Sequence, residues 1–330
     1  MKTFIIRRFA TAILVLFGVS ILVFMMIHLV PGDPVLIMLQ QSTAGPEAVA
    51  QVRRDLGLDQ PLPLQYVYWL IGNNFVKVDT DGDGVPDAYG THLGILRGDF
   101  GRSLFKKAQV ADIITDKFPH TLKLTLAVML ISIPLGIFAG VVAAVKRETF
   151  LDYATTVGAL VGVSIPSFWL GLILMFVFGV QLAWVRPFIG DKGLVTLILP
   201  AITLAAPFVA VIARLTRSSM LNVLSEDYIR TARAKGVRER YVLYGHALRN
   251  AIIPVVTMIG LQFGYLLGGA VIVETVFVYP GLGNEVVTAI LNRDFPMVQG
   301  IVLFSATLFV FINLATDVVY TIVDPRIQYG

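Results

Sequence analysis

Apolar residues along this chain do not alternate with polar ones. They come in long uninterrupted runs separated by short charged segments. Six runs are long enough to cross a bilayer core of about 30 Å as a helix, which takes roughly 20 residues. They are Phe9–Gly32, Leu124–Val145, Tyr153–Val185, Gly193–Ala213, Asn250–Val273 and Phe295–Thr316. Backbone polar groups have no water partner in lipid, so a spanning segment must be a helix or a closed barrel strand, and continuous rather than alternating runs predict helices. The pattern therefore predicts an all-α polytopic membrane protein with six transmembrane helices. The first run follows Lys2, Arg7 and Arg8, as a secretion signal does. Its apolar core is longer than such a signal and no small-residue cleavage pattern follows, so it is read as a retained first span.

Composition points the same way. Of 330 residues, 56% are hydrophobic and 15% charged, with a mean hydropathy of +0.77. A soluble domain carries about a quarter charged residues. The net charge of +4 and pI near 9.2 raise the question of nucleic acid. In a membrane protein, however, excess Lys and Arg belong to cytoplasmic loops, and no nucleic-acid partner is expected. The chain has no cysteine, which excludes a disulfide, a thiol nucleophile and a thiolate metal site.

Six spans put both termini on one side. The segments on that side carry Arg7 and Arg8, Lys146 and Arg147, a strongly basic connection from Arg214 to Arg249, and Arg326. The short loops on the other side carry few cations. This bias predicts cytoplasmic termini in the inner membrane. The resulting division is a tail and first span (1–32), an external subdomain (33–120), and a five-helix core (121–330) with a cytoplasmic connection at 214–254. The external segment is too long for a plain connector.

Candidate chemistry is sparse. There is no G-x-x-x-x-G-K-[ST] phosphate loop and no H-E-x-x-H. Ser164 sits in Gly162-Val-Ser-Ile-Pro-Ser167, which lacks the nucleophile-elbow pattern. The chain is read as no enzyme. Gly136/Gly140 and Gly260/Gly264/Gly268 carry the small-residue spacing of close helix packing. Pro166 and Pro207 interrupt the third and fourth runs. Such breaks line a watery cavity or are plain packing kinks, and the sequence favours neither. A translocation path is expected at Ser164, Pro166, Ser167, Gln262 and Gly264, because polar groups at bilayer depth face a cavity or another helix.

The basic connection holds more structure than charge bias requires. The stretch Glu226 to Gly236 and the stretch from Val237 to Pro254 both suit short amphipathic helices, with Gly236 as turn or C-cap. Tyr228, Ala232 and Val237 are expected on one face and the cations on another. Contact with anionic lipid would account for the charge alone.

This connection resembles the EAA loop of ABC importer permeases, in the form carried by the dipeptide/oligopeptide permease family. The resemblance extends over most of the chain: Arg7-Arg8, Leu29-Val-Pro-Gly-Asp33-Pro34, Leu56-Gly-Leu-Asp-Gln-Pro61 and Gly98-Asp-Phe-Gly-Arg102-Ser103. It continues through Ser164-Ile-Pro-Ser-Phe-Trp169, Thr231-Ala-Arg-Ala-Lys-Gly236 and His246-Ala-Leu-Arg-Asn250. Val273-Glu274-Thr-Val-Phe, Tyr279-Pro-Gly-Leu-Gly283 and Asp324-Pro325-Arg326 complete it. The resemblance implies the type I importer permease fold and the first of two homologous pore subunits. It also implies two cytoplasmic ATPases that bind the ATP, an external substrate-binding protein and a di- or oligopeptide cargo. Nickel chelates, opines and oligosaccharides are alternative cargoes in the same family, and a membrane receptor or scaffold is the alternative from another class. The coupling helix implied for the ATPase cleft comprises Tyr228, Arg230, Thr231, Ala232, Arg233, Ala234, Lys235 and Gly236. Counting back from Gly236, the usual Glu of the loop is Arg230 here and the usual Asp is Lys235.

The external segment departs from the family between Gly72 and Gly98 by an insertion containing Asp79-Thr-Asp-Gly-Asp83-Gly-Val-Pro-Asp87. Carboxylates at positions one, three and five with Gly at six match the start of a calcium loop. Position twelve is Gly90 rather than Glu, so the loop is no complete EF-hand and is more similar to the loops of thrombospondin type 3 repeats. Asp79, Asp81, Asp83 and Asp87 are expected to hold one structural Ca2+.

Overall fold

A computed structural model describes residues 2–29, 60–78, 88–185 and 194–323, with Val35, Val49, Arg53 and Leu58 besides. Helix α1 is Lys2–Leu29 and the short helix α2 is Leu62–Ile71. Strands β1 (Lys77–Val78) and β2 (Ala88–Tyr89) pair antiparallel, Lys77 opposite Tyr89 and Val78 opposite Ala88. A 3-10 turn at Ile95–Arg97 precedes α3, Val110–Val145. Then come α4 (Phe150–Ser164), α5 (Ser167–Leu174, continued as a π-helix through Gln181) and α6 (Leu194–Leu224). Helices α7 (Asp227–Ala234) and α8 (Glu239–Ala251) form the connection to α9 (Ile253–Gly269). The order closes with α10 (Val271–Val276), α11 (Leu282–Leu291) and α12 (Phe295–Val323).

Among the described residues four helices are long and apolar enough to cross a membrane, and two bent pairs, each taken as one span, bring the number to six. The third expected span, Tyr153–Val185, is one of these pairs: α4 and α5 meet at 99°. Pro166 explains the break. It has no N–H to donate, and it holds the preceding Ile165 in an extended conformation (ψ 121°) that ends α4. Pro207 does not do the same. The expected interruption of the fourth span is absent, because Pro200 and Pro207 both lie inside the continuous helix α6. A proline in a spanning helix removes one ladder bond, which neighbouring helices and local adjustment make tolerable. The second span also differs, for its helix begins at Val110 rather than near Leu124. Val110, Ile113 and Ile114 extend the apolar face past Asp112 and Asp116, and all three are buried.

The chain divides into two compact units. The first comprises Met1–Ala12, His120–Asn284 and Leu308–Gly330. Its core joins Leu124, Val128 and Met129 of α3 with Leu199, Leu204 and Phe208 of α6 and with Leu266 of α9. Small residues set the helix approach. A Cβ on Gly136 would overlap Ile212 of α6, one on Gly140 would overlap Ala213 and Thr216, and one on Gly260 would overlap Thr316 of α12. At these positions the glycines serve packing.

The second unit comprises Ile13–Pro119 and Glu285–Thr307. Here α2 packs on α1 through Phe24, Tyr66 and Trp69, whose rings lie 5.4–6.2 Å apart. Asp294 ties the loop before α3 to the start of α12. Its carboxylate accepts from Ser103 Oγ (2.5 Å), from the backbone N–H of Leu104 and Phe105, and from that of Met297.

Candidate coupling site and translocation path

The connection between α6 and α9 lies wholly in the first unit. Asp227 opens α7, where an acidic residue in the first turn favours the helix dipole. The helix ends in a Schellman turn. Gly236 N–H donates to Arg233 O (2.9 Å) and Val237 N–H to Ala232 O (3.2 Å), the two bonds of that motif. Gly236 has φ of 75°, the left-handed region that glycine enters without Cβ strain.

Ile229 anchors the helix. It is fully buried and packs with Met220 of α6, Val141 and Ala144 of α3, and Val242, Ala247 and Ala251 of α8. Ala232 and Val237 pack against the same cluster. Burying such an isoleucine contributes about 1.5–3 kcal/mol. The expected face of Tyr228, Ala232 and Val237 is corrected at its first member. Tyr228 is 42% exposed, and its hydroxyl accepts from Asn250 Nδ2 (2.8 Å) at the edge of the patch. Tyr228 and Ile229 stand four and three residues before Ala232 and flank the same face, and it is Ile229 that enters the cluster while Tyr228 stays at its edge.

The opposite face of α7 is exposed and basic. Arg230, Thr231, Arg233, Ala234, Lys235 and Gly236 all lie open to solvent. Arg233 is forked on Glu239 of α8, with nitrogen–oxygen distances of 2.7 and 3.2 Å. The Arg233 guanidinium holds the Glu239 carboxyl below its ordinary value, against a small opposing effect of burial. The pairing in turn raises Arg233. Arg230 makes a looser contact with Asp227 at 3.3 Å and is 72% exposed. What remains is a cationic helix with a small apolar rim, held to its own spans by an apolar anchor.

The residues expected on a path are divided between the α4–α5 bend and the interior of α9. Ser164 and Pro166 are exposed at the α4–α5 bend, Ser167 is half-buried there, and Ser164 Oγ donates to Leu160 O at 2.8 Å. Gln262 is 8% exposed, and neither its amide nitrogen nor its oxygen has a partner among the described residues. Gly264 faces α12, where an added Cβ would lie 3.1 Å from the Phe309 ring. The four aspartates of the expected calcium loop, Asp79, Asp81, Asp83 and Asp87, lie outside the described residues. The strands that flank them are paired. Among the described residues no cluster of three or more His, Asp or Glu side chains is placed to hold a metal.

Sequence reasoning passed over the buried carboxylates. Glu274 is inaccessible to solvent and accepts from Thr121 Oγ1 (2.7 Å), Gly283 N–H (2.6 Å) and Asn284 N–H (3.2 Å). It thereby caps α11 and brings together two motifs that are separate in the sequence. Asp152 at the start of α4 takes a two-pronged bond from Arg217 of α6, at 2.5 and 2.8 Å. The hint was the position of each acid inside or beside an apolar run, where an unpaired charge is costly.

Comparison with known proteins agrees with this architecture. Residues 132–329 match the family described as binding-protein-dependent transport system inner membrane component, and residues 1–125 match the N-terminal part of such components. The chain is 44% identical over 333 residues to the glutathione transport system permease protein GsiC of Escherichia coli K12, covering all of both chains. It is 40% identical over 337 residues, again covering both chains fully, to a probable peptide ABC transporter permease protein, y4tP, of Sinorhizobium fredii. Among solved structures, a chain of the MetNI methionine ABC transporter in an inward-facing conformation superposes with a TM-score of 0.54 at 19% identity. That match covers 64% of this chain and 96% of the other, and it shows a shared fold. The chain belongs to the family of inner-membrane components of binding-protein-dependent transport systems, and it is a pore-forming permease subunit of an ABC importer.

Proposed function

We propose that the chain imports di- or oligopeptides, glutathione-like peptides included, as the first of two homologous permeases. Its termini are cytoplasmic, two separate ATPase subunits supply the energy, and an external binding protein delivers the cargo. The names of the relatives support the peptide class. The observation that carries the coupling role is α7 itself: a cationic, solvent-facing helix fixed by Ile229 to the ends of two spanning helices. Free solvated charge needs no such anchor. Tyr228 and the stretch from Arg230 to Gly236 form the surface that enters the ATPase cleft. The path runs by the bend at Ser164, Pro166 and Ser167 and by Gln262 and Gly264 of α9. The calcium reading of Asp79, Asp81, Asp83 and Asp87 rests on the spacing of the carboxylates. The pairing of β1 with β2 supports it, because it draws the two ends of the acidic loop together.

The absence of native cysteine makes the coupling assignment directly testable. A single cysteine at Thr231 or Ala234 should cross-link to an ATPase subunit in the intact complex, while one at Leu14 of α1 should not. Failure of both α7 positions to cross-link, with the complex assembled, refutes the coupling role. Uptake competition among glutathione, dipeptides, nickel chelates, opines and oligosaccharides then resolves the cargo.

A further inference from the structure

The segment after the first span was expected to lie outside the membrane, yet its helix α2 has the composition of a membrane segment. Residues 60–76 contain no charged side chain. Helix α2, LPLQYVYWLI, is apolar nearly all round, and Leu62, Val67 and Ile71 are 47, 38 and 40% exposed. Gly72 and Gly94 let the 3-10 turn close on the end of α2, since a Cβ on either would strike the other's backbone neighbourhood. That closure adds Leu93 and Leu96, 46 and 71% exposed, to the same part of the unit. A soluble subdomain rarely leaves such a group bare.

Its depth can be read from α1, a candidate span described as far as Leu29 within an apolar run that extends to Gly32. Tyr66 and Trp69 both pack on Phe24, with ring centroids 5.4 and 5.7 Å away. Phe24 is five residues before Leu29, about 7.5 Å along a helix rising 1.5 Å per residue. The Tyr66 hydroxyl reaches further and is 2.7 Å from Ser20 Oγ. Ser20 is nine residues before Leu29, about 13.5 Å along the same axis. Nearer the end, Gln65 Oε1 is 3.0 Å from His28 Nε2. Thus α2 crosses α1 below the end of the apolar run, at or beyond the depth of about 5–10 Å typical of interfacial helices. Tyr66, Tyr68 and Trp69 are the residue types that gather at that level.

We propose that α2 is embedded in the outer leaflet beside the first span, with Leu62, Val67 and Ile71 against lipid acyl chains. The external segment is then moored to the bilayer at its root, and only the part beyond α2 stands in water. The proposal rests on α1 being a span.

Spin labelling of single cysteines tests it on the assembled importer in phospholipid nanodiscs, since the chain has no native cysteine. Collision with oxygen reports lipid and collision with a water-soluble nickel chelate reports solvent. Labels at Val67 and Ile71 should give an oxygen-to-nickel ratio matching that at Leu14, a 71% exposed position of α1, and opposite to that at Arg97. Ratios at Val67 and Ile71 equal to that at Arg97 overturn the proposal by placing α2 in water. Low collision with both reagents overturns it by showing that another protein covers the face. A solvent-like ratio at Leu14 itself would instead remove the reading of α1 as a span, which keeps the two failures apart.

Discussion

Substitution of Gly236 isolates backbone geometry from contact in the proposed coupling element. Its φ of 75° is unfavourable for any residue with a Cβ, yet a Cβ built there meets nothing within 4 Å. The penalty of Gly236→Ala is therefore conformational, about 1–2 kcal/mol. That reduces the population of the ordered turn relative to its opened forms by roughly 5- to 30-fold. Gly236→Asn should cost less, because asparagine tolerates the left-handed region. Gly236→Pro should cost about 3 kcal/mol or more, because proline cannot reach this φ and loses the N–H that bonds Arg233 O. Removing the Ile229 side chain from water contributes about 1.5–3 kcal/mol to holding the loop, so a proline penalty of that size should unseat it and alanine should loosen it. The assay is ATP hydrolysis stimulated by loaded binding protein in proteoliposomes, with peptide uptake in parallel. Stimulation should fall in the order Gly, Asn, Ala, Pro while insertion into the membrane persists. Asparagine as damaging as alanine would show that the partner needs the space beside Cα rather than the turn. Normal uptake by the proline variant would refute the coupling role of this segment.

Two further outcomes follow from the same element. Ile229→Ala should weaken the docking of α7 by about 2–5 kcal/mol and Ile229→Val by about 0.5–1.5 kcal/mol, read as faster proteolysis of the Asp227–Arg249 segment in the purified complex. Equal protection in both variants would show that the buried cluster does not hold the loop. The Arg233–Glu239 pair is surface-exposed, so a double-mutant cycle should give at most about 1 kcal/mol, diminishing with added salt. Because Glu239 titrates below its ordinary value in the folded protein, its contribution is present above the ordinary carboxylate range. It is lost as pH falls through the lowered value, and a coupling energy that grows on acidification would contradict the pairing.

The number of apolar segments was legible because hydrophobic length is a one-dimensional property, but the course of each segment was not. Pro166 and Pro207 look alike in the sequence, and only Pro166 breaks its helix. The difference lies in whether surrounding helices hold the backbone straight, which is a tertiary property. Within the coupling loop the helix–Gly–helix pattern located both helices and the turn. The phase was missed by one residue, since Tyr228 and Ile229 are adjacent and either could have led the apolar face. The pattern Ile229-x-x-Ala232 with Val237 after the glycine was the available signal, being the hydrophobic contact of a Schellman turn. The buried carboxylates Glu274, Glu285 and Asp294 read in the sequence as ordinary loop charges. Their donors are backbone N–H groups and distant side chains such as Thr121, Lys106 and Ser103, which no local spacing reveals.

The packing around α7 explains how a small displacement there would reach the bend between α4 and α5. The anchor of Ile229 includes Met220 in the last turns of α6, so the two helices must move together or lose buried contact. Further along α6, Ala206 and Ala210 receive Gly162 of α4, where an added Cβ would lie 3.3 Å from each. Thr203 of α6 and Phe277 together receive Gly171 of α5, the ring lying 3.0 Å from such a Cβ. Both arms of the bent pair thus rest on α6 through glycines, contacts that leave no slack for a side chain to absorb. Between them, Ile165 and Pro166 form a short extended link with fewer backbone bonds to break. If α7 is the ATPase contact as proposed, a shift of α7 would load α6, and rotation at the Pro166 link is the expected response. On the proposed coupling role, the break at Pro166 is the expected place of movement, and the unbroken helix α6 through Pro200 and Pro207 is the element that would carry the push to it.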